Sequence, residues 1–184
     1  MARAIRANRT YMARILQSLT RRQALPEELG ELRRQAEIAT GNAEAGFQRL
    51  LSEPRNKRGG LGEAFALVTY VQRLERHLIA LAAQIGCAEL TPADAAALSG
   101  LLESAQEDVA AAVAQGSEPA PCPSFDSPLG RLREKLETNE RTGAGSTVAY
   151  LLGRIASDTT SLHAAACTSA PSAMRATERV GSRP

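Results

Sequence analysis

The chain has 184 residues, 43% of them hydrophobic but only 3% aromatic and none tryptophan. That is enough for one helical domain, with an interior that alanine and leucine must largely fill. Its 22 Lys and Arg against 20 Asp and Glu leave a formal net charge of +2, too even a balance to attract a nucleic-acid backbone, so nucleic acid is not an expected partner. Cys87, Cys122 and Cys167 are widely spaced and odd in number, which suits neither a disulfide framework nor paired zinc ligands and points to a reducing compartment. Strand formers never alternate over a strand-length window, so no sheet is expected. Gln84 interrupts the apolar stretch Leu78 to Ile85, and Ser104, Glu107 and Asp108 interrupt Ala95 to Val113; neither stretch can span a bilayer. Arg3, Arg6 and Arg9 lack a following hydrophobic run and cleavage site, so the N-terminus is not a signal peptide.

In chain order, Ile5, Met12, Ile15 and Leu19 recur at helical spacing among arginines, which predicts an amphipathic first helix ending near Ala24. Pro26, Glu27 and Glu28 open a second helix, with a first-turn proline and carboxylates that complement its dipole. Leu29, Leu32, Ala36, Ala39, Ala43, Phe47 and Leu50 mark one face, and Pro54 ends the helix near Glu53. After the turn Arg55 to Gly60, a seam of Leu61, Phe65, Val68, Val71, Leu74, Leu78, Leu81 and Ile85 defines a third helix, stopped by Gly86. Thr91-Pro92-Ala93-Asp94 supplies an N-cap, a first-position proline and an early carboxylate for a fourth helix reaching about Ala114. Pro119, Pro121, Pro123 and Pro128 make a connector. A short fifth helix starts at Ser127-Pro128 with Leu129, Leu132 and Leu136 on one face. A sixth, capped by Ser146 or Thr147, carries Val148, Leu151, Leu152, Ile155 and Leu162. The expected organisation is an all-α antiparallel bundle of five or six helices. Residues 1–116 form the main bundle, 117–128 the Pro-rich connector, 129–166 the C-terminal helices packing on the bundle, and 167–184 a flexible, disordered tail.

One stretch breaks a propensity rule. Thr40, Gly41 and Asn42 are consecutive poor helix formers inside the second helix, costing about 1–2 kcal/mol relative to alanine. Small residues at 36, 39, 43 and 46 admit a close neighbour, and Asn42, Arg49 and Glu53 form an adjoining polar row. The plain explanation is helix packing with solvent-facing charges.

The wording of this stretch, Thr40-Gly41-Asn42-Ala43-Glu44-Ala45-Gly46-Phe47-Gln48-Arg49-Leu50-Leu51-Ser52-Glu53-Pro54, resembles the cytoplasmic C-terminal region of the fusaric acid resistance (FUSC-like) inner-membrane proteins. The preceding segment from Arg6 to Arg22 looks like the family's helix after its last membrane span, which places Arg9 and Tyr11 near the membrane exit. The segment from Ala66 to Leu81 is similar to the helix that follows, and the likeness is densest over residues 1–86. It implies a non-enzymatic helical domain on the cytoplasmic side of a bacterial multi-pass efflux-type protein, supporting assembly or gating. Met1 then reads as the edge of a piece cut from a longer chain. The implied partners are the protein's own transmembrane region, further copies of itself and the membrane surface. Asn42, Glu44 and Arg49 match the family's recurrent motif, with a structural role within or between helices. Gly46 is expected where another helix approaches closely, and the first helix, through Ile5, Met12, Ile15 and Leu19, is expected to supply much of a self-association contact. The rival reading is a soluble helical ligand-sensing or protein-interaction module, with a small acid held between the second and third helices.

No catalytic residue, cofactor-binding residue or metal ligand stands out. His77 sits on a mixed helix face, and neither it nor His163 has Cys or carboxylate neighbours at zinc-ligand spacing. Glu75 and His77, two apart on a helix, point in different directions and cannot form an acid–base pair. Gly59-Gly60-Leu61-Gly62 lacks the lysine and hydroxyl of a phosphate loop, and no strand-to-helix serine elbow is present. The basic runs Arg21-Arg22, Arg33-Arg34 and Arg55-Asn56-Lys57-Arg58 are ordinary solvated surface, with the cytoplasmic leaflet as the alternative partner. Tyr11, Tyr70 and Tyr150 are core or boundary residues rather than a site for an aromatic acid.

Overall fold

A computed structural model describes residues 1–21, 26–54, 60–138 and 143–169. Six helices follow one another: α1 (Ala2–Arg21), α2 (Pro26–Ser52), α3 (Leu61–Ala82), α4 (Pro92–Gln115), α5 (Asp126–Thr138) and α6 (Ala144–Ser169). Among the described residues there is no strand, only an isolated bridge between Ile85 and Ala88. No helix among them is long and apolar enough to cross a membrane. The all-α antiparallel bundle read from the sequence is therefore the fold.

The ends of the helices follow local chemistry. Thr91 caps α4, its Oγ1 accepting from the Asp94 amide at 3.2 Å, with Pro92 in the first turn. Gly116, at φ +65°, closes the other end as its amide donates to the Ala112 carbonyl. α3 ends three residues short of Ile85, and Gly86 turns the chain at φ +90°. α5 starts at Asp126, whose amide donates to Ser124 Oγ at 3.3 Å, one residue ahead of the expected Ser127-Pro128 start. α6 opens just after Gly143, at φ +71°, two residues ahead of Ser146. It runs on through Cys167 to Ser169, into the segment read as tail. Residues 170–184, and the basic segment 55–58, lie outside the described residues.

Four helices form the core. α1 packs on α4, α4 on α6, α6 on α3 and α3 on α1, while α2 lies over the α1–α3 edge and α5 over the α4–α6 edge. The short connections set α1, α2 and α3 antiparallel to their sequence neighbours. Thr40 lies near both Asn8 and Glu75, and Phe47 near Phe65, as that arrangement requires. α6 is thus one of the four central helices, not an appendage to residues 1–116. It could not be recognised as such from local spacing, because its partners α3 and α4 come from earlier in the chain.

Two apolar clusters fill the bundle. One gathers Ile15, Leu19, Leu78, Leu98, Leu102 and Leu152, and the other gathers Ile5, Leu67, Val71, Val109, Leu162 and Ala166. A buried polar layer lies between them. Asn8 Nδ2 donates to Thr40 Oγ1 at 3.2 Å, and Gln106 Nε2 donates to Thr159 Oγ1 at 3.1 Å. Asp158 sits in the same cross-section, against His77 and Arg73. A one-residue slip of any core helix would leave these polar groups unpaired in the interior, so the layer fixes the register of the bundle.

Phe65 departs from the seam assigned to it: its side chain is 59% exposed. Nine residues before Leu74, at ~100° per residue, it projects from the opposite side of α3. It meets Phe47 instead, ring centroids 5.8 Å apart, at the α2–α3 tip.

Candidate interaction surface

The six residues singled out from the sequence do not converge on one site. Arg9 binds Glu107 across the α1–α4 contact at 2.5 Å, beside Arg6 at 2.8 Å. The hydrogen bond from Arg6, with both arginine charges near, holds the Glu107 carboxyl below its usual range. Tyr11 is buried in the core at 2% exposure, and that burial pushes its phenol upward. Asn42, Glu44 and Arg49 are all exposed on α2.

Gly46 corrects an expectation. A Cβ built there would meet only the Arg49 guanidinium, at 3.7 Å, so no neighbouring helix approaches it. Of the small residues at 36, 39, 43 and 46, Ala36 and Ala39 are buried and Ala43 is partly buried against the core, while Gly46 meets no other helix. Gly46→Ala should stabilise the chain by about 0.5–1 kcal/mol through helix propensity, read as a raised melting temperature; a lowered one would restore the close-contact picture.

The first helix corrects a second expectation. Ile5, Met12, Ile15 and Leu19 are each at 0% exposure, turned into the chain's own core. They cannot offer a contact to another copy. What compensates the weak Thr40-Gly41-Asn42 run is Thr40 itself, buried between Asn8 and Glu75. Burial raises the Glu75 carboxyl above its ordinary value, and the Thr40 hydrogen bond partly offsets this.

The His77–Asp158 pair was not found from sequence. His77 Nδ1 lies 2.6 Å from Asp158 Oδ2, and Arg73 lies 3.1 Å from Oδ1 without the alignment of a hydrogen bond. A carboxylate only accepts, so Nδ1–H is the donor. The pair resembles the orienting half of a hydrolase dyad, but among the described residues no serine, threonine or cysteine is hydrogen-bonded to His77. It pins α3 to α6. His163 likewise ties α6 to the connector, its Nε2 lying 2.6 Å from the Ala120 carbonyl. Among the described residues no group of three His, Cys, Asp or Glu is placed to hold a metal ion.

A groove of about 760 Å³ runs between α1 and the starts of α2 and α4, lined by Arg14, Gln17, Glu28, Leu32, Ser99 and Glu103. Arg14 is already held there by Glu28 and Gln17. A second, of about 560 Å³, lies between α5 and α6 beside Tyr150, which is 64% exposed. Neither occupies the space between α2 and α3 where a small acid was to sit.

Two helices remain outward, α2 and α5. α2 touches only α1 and α3, and Ile38, Gly41, Asn42, Ala45 and Arg49 are exposed along its outer line. The fold and this surface define an all-α bundle of four central and two flanking helices. No family model, curated protein or solved structure matches the chain.

Proposed function

We propose that the chain is a non-enzymatic helical domain on the cytoplasmic side of a multi-pass inner-membrane efflux-type protein, similar to the fusaric acid resistance proteins, and that it supports assembly or gating there. The observation that carries this reading is the orientation of the motif stretch. Asn42, Glu44 and Arg49, which match the family's recurrent motif, are exposed on α2. Residues of that segment which its own core does not use are suited to a contact outside it. The exposed Phe65, packed on the half-buried Phe47 at the α2–α3 tip, adds apolar surface beside it.

The test is fractionation of the product of the natural gene. On this reading the polypeptide containing these residues pellets with the inner membrane and resists carbonate extraction, because spans of about 20 apolar residues hold it there. Recovery in the soluble fraction would overturn the membrane reading and leave a soluble protein-interaction module.

A further inference from the structure

The outer line of α2 carries a pattern that fits a second copy of itself. Ile38 is 50% exposed at its centre, flanked by Gly41 and Ala45. A Cβ at Gly41 would meet nothing within 4 Å. The glycine therefore weakens the helix with no return inside this chain, while lowering the surface just where a second helix would lie. Along the same line, at the helical spacing of three and four, Glu27 stands towards the N-terminus and Arg49 towards the C-terminus, both exposed.

We propose that α2 pairs antiparallel with α2 of a second copy across a two-fold axis at Ile38. In that register the two Ile38 side chains meet on the axis. Arg34 faces the partner's Asn42, whose side-chain carbonyl can accept from the guanidinium, and Glu27 faces the partner's Arg49 at each end. The opposite charges sit eleven residues either side of the axis, about 16 Å along the helix. A parallel pairing would instead bring Arg49 against the partner's Arg49 and Glu27 against the partner's Glu27, which like charges oppose. The two-fold, isologous arrangement is the one in which each copy supplies both halves of every pair. This inference deepens the assembly part of the function proposed above and rests on it; membrane attachment is not needed for it.

The test is sedimentation velocity of the chain from about 1 µM to about 1 mM, the span in which a weak dimer fills. A concentration-dependent dimer is expected. Ile38→Glu should weaken it at least about tenfold, and Glu27→Arg or Arg49→Glu alone about threefold or more. Combining the two reversals should restore the wild-type dissociation constant, a recovery that general loss of folding cannot mimic; circular dichroism confirms that each variant is helical. A chain monomeric at every concentration overturns the proposal and leaves the face to a different chain. A dimer indifferent to Ile38→Glu, or a double reversal weaker than either single one, overturns this pairing. Failure here with a membrane-retained gene product refutes only the dimer, whereas a dimer formed by a soluble gene product refutes only the membrane reading.

Discussion

A chain lacking residues 1–20 should not fold. α1 buries Ile5, Tyr11, Met12, Ile15, Leu16 and Leu19, each at 2% exposure or less, and it packs on α2, α3 and α4. Each large apolar side chain contributes roughly 1.5–3 kcal/mol on burial, so the six together are on the order of 10 kcal/mol. That is comparable to the whole stability of a domain, about 5–15 kcal/mol. The expected result is loss of the cooperative thermal transition and a large fall in helical circular dichroism. Ile15→Ala alone should cost about 2–5 kcal/mol, because the alanines around this core are too short to fill the cavity. A truncated chain that still melts cooperatively would mean that α1 is peripheral, as the sequence expectation of an intermolecular first helix would have it.

His77→Ala should cost about 1–3 kcal/mol, the penalty for leaving a buried acceptor without its donor. The Asp158 side chain is 0% exposed, so water cannot replace the donor at Oδ2, and Arg73 reaches only the other oxygen. His77 itself is 22% exposed, so its own side chain can still be hydrated. Asp158→Leu should cost less, since it removes the group that cannot be hydrated and leaves two side chains that can. The double variant should then be more stable than His77→Ala alone. Urea denaturation of the four proteins measures this. Additive losses, or a His77→Ala cost below about 0.5 kcal/mol, would show that the pair does not join α3 to α6.

Much of the helix layout was legible because it is written locally. Pro26, the Thr91-Pro92-Asp94 cap and Gly116 mark ends through backbone geometry that needs no tertiary information. The seam from Val68 to Leu81 gave the buried face of α3, although it wrongly took in Phe65. Periodicity tells which face of a helix is buried, never against what. Ile5, Met12, Ile15 and Leu19 were recognised as one face, but the same pattern serves a core and an intermolecular contact. The polar layer was hidden for a related reason. His77 and Asp158 stand 81 residues apart, so their pairing becomes visible only once α3 and α6 are side by side. Gly46 shows the converse limit, since a small residue permits a close approach without causing one.

The most direct measurement of the proposed function is limited proteolysis in membrane vesicles made from cells expressing the natural gene. Arg33, Arg34 and Arg49, exposed on α2, offer sites for trypsin. If the chain is the cytoplasmic domain of a membrane protein, fragments of it are released from inverted inner-membrane vesicles and none from sealed right-side-out ones. Release from the right-side-out vesicles, or absence of the polypeptide from both preparations while it is abundant in the soluble fraction, would contradict the account.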